Sequence, residues 1–176
     1  YSVTRIGNRA FEQCETLKHV SIPESVTSIG EYAFSDCDRL AEVVIPNSVT
    51  EIGECAFKDC NSLESIVIPN SVTKIEGNAF LGCESLTRIE VANKNLIYDS
   101  REDCNAIIET ATDTLVIGCK STIIPKSISK IGEYAFFGCN SLENIVISEG
   151  VKEIDLGSFA YCSLLETIKK KNKNLI

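Results

Sequence analysis

IGECAFKDCNSLESIVIPNSVTK, the stretch from Ile52 to Lys74, decides how this chain is read, because nearly the same pattern recurs before and after it. Its apolar residues Ile52, Ala56, Phe57, Cys60, Leu63, Ile66, Ile68 and Val72 sit at irregular short spacings that fit neither one helix nor one strand. They fit one turn of a coil.

Working outward, units begin at Ile6, Ile29, Ile52 and Ile75, with Phe11, Phe34, Phe57 and Phe80 in phase and Leu17, Leu40, Leu63 and Leu86 likewise. A period of 23 falls within the leucine-rich-repeat range, in which each repeat adds one short strand to a continuous parallel sheet. That strand is predicted at the Leu-x-x-Ile-x-Ile segment, such as Leu63 to Ile68, which is β-branched, alternating and stopped by proline. Pro23, Pro46, Pro69 and Pro125, all at one phase, lack the N–H a ladder needs and mark where the chain leaves the sheet. Gly7, Gly30, Gly53 and Gly132 then permit a tight bend. Ala-Phe-x-x-Cys is expected as a helical or 3-10 turn across the convex side.

Nine cysteines suggest a disulfide framework until their positions are compared. Cys14, Cys37, Cys60 and Cys83 keep the period, as do Cys139 and Cys162, which is how a core residue behaves in a stack. A buried ladder of free thiols is the main reading. Disulfides between adjacent coils are the alternative, because coils stacked about 5 Å apart allow them. Zinc is disfavoured: no CxxC pair occurs and His19 is the sole histidine.

The period breaks after Arg88-Ile89-Glu90-Val91, with an insertion carried by residues 93–125. Asn105–Thr110 and Thr114–Gly118 read as a β-hairpin about a polar turn at Ala111–Asp113. Cys104 and Cys119 face each other across it, as a disulfide or as two core thiols. Phase returns at Thr122, Ile124 and Pro125, and units follow at Ile131 and Ile154. The last is degraded: Asp155 replaces Gly, Ser158 replaces Ala, and Lys170 takes the inward position held by Val91. Asn172 to Ile176 repeats Asn93 to Ile97 at an offset of 79, so residues 1–176 are expected to be a single solenoid cut from a longer array.

The pattern Ile-Gly-x-x-Ala-Phe-x-x-Cys-x-x-Leu-x-x-Ile-x-Ile-Pro-x-Ser-Val, seen with Ala33-Phe34, Cys37, Leu40, Val43, Ile45-Pro46 and Ser48-Val49, resembles the BspA-like, or Treponema pallidum type, leucine-rich repeats over almost the whole chain. The insertion, from Tyr98-Asp99-Ser100-Arg101 to Gly118-Cys119-Lys120, resembles a variant found in arrays of Bacteroides-type bacteria. The resemblance implies a β-rich α/β solenoid, a right-handed coil with short parallel concave strands. It also implies an extracellular or cell-surface location and adhesion to host proteins, and it carries over no catalytic residue.

Composition agrees with a binding role more than with catalysis. A net charge of −8 argues against nucleic acid, whose phosphates demand a basic face. No run approaches 18 apolar residues, so no membrane-spanning helix is expected in this segment. No cofactor or metal is expected: Glu31, Glu54 and Glu133 share a phase that could hold calcium, but without Asp-x-Asp spacing they read as a solvated rim. His19 has no motif partner for catalysis, so the chain reads as no enzyme. Without Trp, and with phenylalanines phased to the core, the usual sugar-stacking surface is missing.

If Ile66 and Ile68 point inward, alternation turns Ser65 and Val67 outward. The Val67 phase then reads Ser21, Val44, Val67, Glu90, Ile123, Val146 and Lys169, an apolar stripe interrupted by Glu90. Beside it lie His19, Glu42, Ser65, Arg88, Ser121, Asn144 and Thr167, a polar column suited to setting specificity. The bland alternative is that β-branched residues simply suit strands. The expected function is protein binding on the concave sheet, and the rival is a rigid spacer presenting another domain.

Overall fold

The computed structural model describes residues 2–170, which wind as a β-solenoid of about seven turns. Its strands are β1 (Arg5–Ile6), β2 (His19–Ser21), β3 (Ser28–Ile29), β4 (Glu42–Val44), β5 (Glu51–Ile52), β6 (Ser65–Ile68), β7 (Lys74–Ile75), β8 (Arg88–Val91), β9 (Tyr98–Asp99), β10 (Ala106–Glu109), β11 (Thr114–Gly118), β12 (Lys130–Ile131), β13 (Asn144–Ile147), β14 (Glu153–Ile154) and β15 (Thr167–Lys170). Among the described residues the one helical element is a 3-10 turn at Arg101–Asp103. The repeated Asn172–Ile176 lies outside the described residues.

The main ladder forms where the sequence places it. β6 alternates because its branched residues Ile66 and Ile68 bury against neighbouring coils while Ser65 and Val67 face out. Coils pair in parallel at the repeat offset, His19 with Glu42, Ser65 with Arg88 and Asn144 with Thr167. Six strands occupy this ladder instead of seven, and they are hydrogen-bonded as three pairs, β2-β4, β6-β8 and β13-β15, not as the one continuous sheet expected. Ser121 to Ile124 follows the same course without strand pairing, and the Ile123 N–H donates to the Cys104 carbonyl at 3.0 Å.

A second, shorter ladder was not expected. The dipeptides ending in Ile that open each unit, Arg5-Ile6, Ser28-Ile29, Glu51-Ile52 and Lys74-Ile75, pair in parallel as β1-β3-β5-β7, and Lys130-Ile131 and Glu153-Ile154 pair again within β9-β10-β11-β12-β14. The expected bend at Gly30 and Gly53 is really a close approach of backbones: a Cβ built on Gly53 would lie 2.7 Å from the Glu31 nitrogen. Positive φ falls further on, at Arg9, Gln13, Tyr32, Asp36, Cys55 and Asp59.

The Ala-Phe-x-x-Cys segment is not helical. A helix turns its N–H groups along its own axis, whereas here alternate N–H groups reach into the next coil. Arg9, Phe11 and Gln13 donate to Glu31, Ala33 and Ser35, each at 2.8 Å, and Tyr32, Phe34 and Asp36 repeat the pattern onto Glu54, Ala56 and Lys58. The phenylalanines stack as a consequence, with centroids 5.1 Å apart for Phe11–Phe34 and 5.4 Å for both Phe34–Phe57 and Phe57–Phe80. Phe34 and Phe57 are fully buried.

The insertion replaces one such turn with a hairpin. β10 pairs antiparallel with both β9 and β11. It is buried on both faces, with Ile107 packed into the core of the preceding coils and Ala106 and Ile108 into that of the following ones. Arg101 fastens its turn end to β9, bonding both Asp99 carboxylate oxygens and Asp113 Oδ1 at 2.7–2.9 Å. β11 runs from Thr114, opposite Lys130, to Gly118, whose N–H donates to Ala135, and the chain then turns at Cys119 with no Ala-Phe-x-x-Cys turn at all. The phenylalanine stack is therefore in two parts, and Phe136–Phe159 begins afresh at 4.9 Å.

Candidate protein-binding face

Strand alternation puts the predicted stripe on the outside of the main ladder. Val44, Val67 and Val146 are 54%, 51% and 49% exposed, although the neighbouring Val43, Ile66 and Ile145 are buried. Ile123 is 68% exposed. Glu42, Ser65, Arg88 and Asn144 are exposed beside them, and Ser121 and Glu90 are half-buried. The face thus pairs apolar side chains with groups able to make directional bonds.

One part of the stripe is assembled differently from its sequence phase. Ile123 was expected to follow Glu90 directly, but its N–H bonds to Cys104, and β10 packs beside β8, so the inserted segment supplies an extra rung between them. Val44 and Val67 stay on consecutive coils, in the adjacent strand pairs β2-β4 and β6-β8, and Ile123 and Val146 form a second apolar pair beyond the insertion. The polar column carries surface ion pairs: His19 Nδ1 lies 3.5 Å from Glu42, and Arg88 lies 2.8 Å from Glu90. Pairs this exposed contribute little stability, which leaves their side chains free to exchange partners.

The cysteines are free thiols, and four of the six regular ones have a bonding role. Sγ of Cys37, Cys60, Cys83 and Cys162 donates to the carbonyl of Phe11, Phe34, Phe57 and Phe136 in the preceding coil, at 3.1–3.2 Å. A small apolar residue carrying a weak donor suits that place. Burial pushes the Cys37 thiol up to about 11 and Cys83 to about 12, which leaves almost no thiolate at neutral pH. Cys104 and Cys119 also remain separate thiols, with Cys119 Sγ donating to Asn105 O at 3.3 Å. Glu31 takes the Asn8 amide at 3.3 Å, and among the described residues no three Asp, Glu, His or Cys side chains converge as a metal cage.

A second concavity went unread in the sequence. Where the insertion-bearing unit omits its turn, a cleft of about 730 Å³ opens between Ile75–Asn78 and Gly132–Glu133, floored by Val116 and Ile117. The signal was available: no Ala-Phe-x-x-Cys occurs between Cys83 and Ala135. At the far rim the flanking turns meet, Asn140 Nδ2 donating to Glu84 Oε1 at 3.1 Å and Ser141 Oγ to Glu84 O at 2.9 Å.

Comparison with known proteins bears on the same architecture. The family model described as "BspA type Leucine rich repeat region" matches residues 1–107 and 115–175 in six copies. No curated protein gives a significant match. Among solved structures, the pneumococcal vaccine antigen PcpA is similar with a TM-score of 0.81 and 25% identity over 95% of this chain and 42% of that one. A leucine rich cell surface protein from Faecalibacterium prausnitzii gives 0.59 and 26%, over 98% of this chain and 64% of that one. The leucine-rich-repeat protein of T. pallidum gives 0.52 and 24%, over 93% and 72%. This chain therefore spans less than two thirds of the first two structures. With nearly the whole sequence matched by repeat copies and wound as a solenoid, the chain belongs to the BspA-type leucine-rich-repeat family.

Proposed function

We propose that this chain is a protein-binding module of a secreted or surface-attached protein, engaging its partner through the outer face of the main ladder. The carrying observation is the set of branched apolar side chains, Val44, Val67, Ile123 and Val146, left about half or more exposed on a face whose alternate residues are buried. Exposed apolar pairs rimmed by polar groups favour association. Glu42, Ser65, Arg88, Glu90, Ser121 and Asn144 supply the directional contacts that discriminate among partners. A location outside the cell draws support from similarity to a vaccine antigen and to a cell surface protein. Membership of a repeat family with no enzymatic family indicated supports a non-catalytic role.

The test is capture of the chain on surfaces coated separately with fibronectin, laminin and collagen. Val44→Lys, Val67→Lys and Val146→Lys together should abolish capture while leaving the thermal melt within a few degrees. Capture that survives the triple variant overturns the assignment to this face. Failure of the unaltered chain on all three coats favours a rigid spacer.

A further inference from the structure

We propose that the cleft left by the missing turn is a second binding site, for an extended, basic peptide segment of a partner protein. The regular coils define what is missing. Each turn donates alternate N–H groups to the next turn and accepts from the one before, as in Phe34 to Ala56 and Phe57 to Ala79. Opposite the insertion this chain of bonds stops. The N–H groups of Asn78, Phe80 and Gly82 find no acceptor in a following turn among the described residues, and the carbonyls of Glu133 and Phe137 find no donor in a preceding one. Only the Ala135 carbonyl is taken, by Gly118.

The two walls converge at Gly82 and Gly138, where a Cβ added to Gly138 would lie 3.8 Å from the Gly82 nitrogen. The opposite end stays open, so the accessible pair is the Asn78 N–H and the Glu133 carbonyl. A segment in extended conformation offers acceptors to one wall and donors to the other, which is how strand addition gains affinity from main-chain bonds. Val116 and Ile117, both half-buried, give its inward side chains an apolar floor.

Charge selects the partner's chemistry. Carboxylates outnumber lysines five to two around the cleft. Lys130 is already engaged by Asp155 at 2.7 Å and Glu153 at 3.4 Å, which leaves Glu109 and Glu133 without a lysine or arginine within salt-bridge distance among the described residues. A lysine- or arginine-bearing segment meets both the acidic rim and the exposed backbone groups. The cleft is remote from the valine stripe in its contacts, so occupancy of one site can be separated from the other.

The experiment is selection of a displayed random heptapeptide library on the chain, followed by titration of the enriched peptides. Enriched sequences should carry net positive charge. They should bind at least tenfold more weakly to Glu109→Lys/Glu133→Lys, lose a similar factor when alternate peptide nitrogens are methylated, and bind Val67→Lys unchanged. No enrichment, enrichment of peptides indifferent to Glu109→Lys/Glu133→Lys, or sensitivity to Val67→Lys would overturn the proposal. So would concentration-dependent dimers abolished by Glu133→Lys, which would make a second copy the occupant. Unchanged circular dichroism of both variants excludes loss of fold as the cause of weakened binding.

Discussion

The unit from Ile52 to Lys74 and the insertion-bearing unit both carry the chain once around the core, yet only the first builds the outer turn. In the regular unit Phe57 lies between Phe34 and Phe80, and its turn bonds to turns on both sides. In the other, β11 cuts across with Val116 and Ile117 lining the cleft, and the buried hairpin strand β10 replaces the lost packing. The difference separates two requirements of a solenoid. Inner surface must be continuous, since Ile107 and Ile108 are as buried as Ile66 and Ile68, whereas the outer turn can be dropped if its neighbours close over the gap.

Three perturbations grade that contrast. Phe57→Ala should have the largest effect, about 3–5 kcal/mol by urea unfolding, because a fully buried ring is lost with stacked partners on either side. Phe80→Ala, stacked on one side only, should fall at the low end of that range. Equal losses would mean that the stack contributes nothing beyond single-site burial.

Alkaline titration comes next. The Cys37 thiol titrates near 11 in the folded chain against about 9 when unfolded, so between those values the folded state holds the proton and the unfolded state releases it. Stability from this group is full below pH 9 and declines as pH rises to about 11. The Cys37→Ala variant should show a correspondingly shallower alkaline decline in unfolding midpoint. Parallel curves for the two proteins would contradict the burial assigned to this thiol.

Smallest is Arg101→Leu, which frees Asp99 and Asp113 from a half-exposed clamp and should cost about 1–2 kcal/mol. Its signature is local: hydrogen exchange should quicken across β10 and β11 while the amides of β3 to β6 keep their protection. Uniform acceleration would show that the hairpin and the regular coils open together.

Much of this was legible in the repeat itself. Phe57, Cys60, Leu63, Ile66 and Ile68 point inward and Ser65 and Val67 outward because a 23-residue period leaves each side chain one environment. The turn was misread as helical because Ala-Phe-x-x-Cys has helical spacing, while the decisive bonds run between coils and leave no mark within one unit. The Lys-Ile ladder was missed because two residues carry no periodicity. Ile123 was placed beside Glu90 because counting residues measures distance along the chain, and an insertion that doubles back adds a rung without advancing the phase. The cleft was legible only as an absence.

The direction of the bonds between turns has an electrical meaning. Every one from Arg9 to Leu81 points its N–H toward the following coil, so the peptide dipoles of the turn column add along the solenoid axis instead of cancelling as they do across a sheet. The column is a rod with its positive pole toward the C-terminus, opposite in sense to an α-helix. By removing one turn, the insertion cuts that rod in two and sets a positive pole at Asn78 to Gly82 facing a negative pole at Glu133 to Phe137.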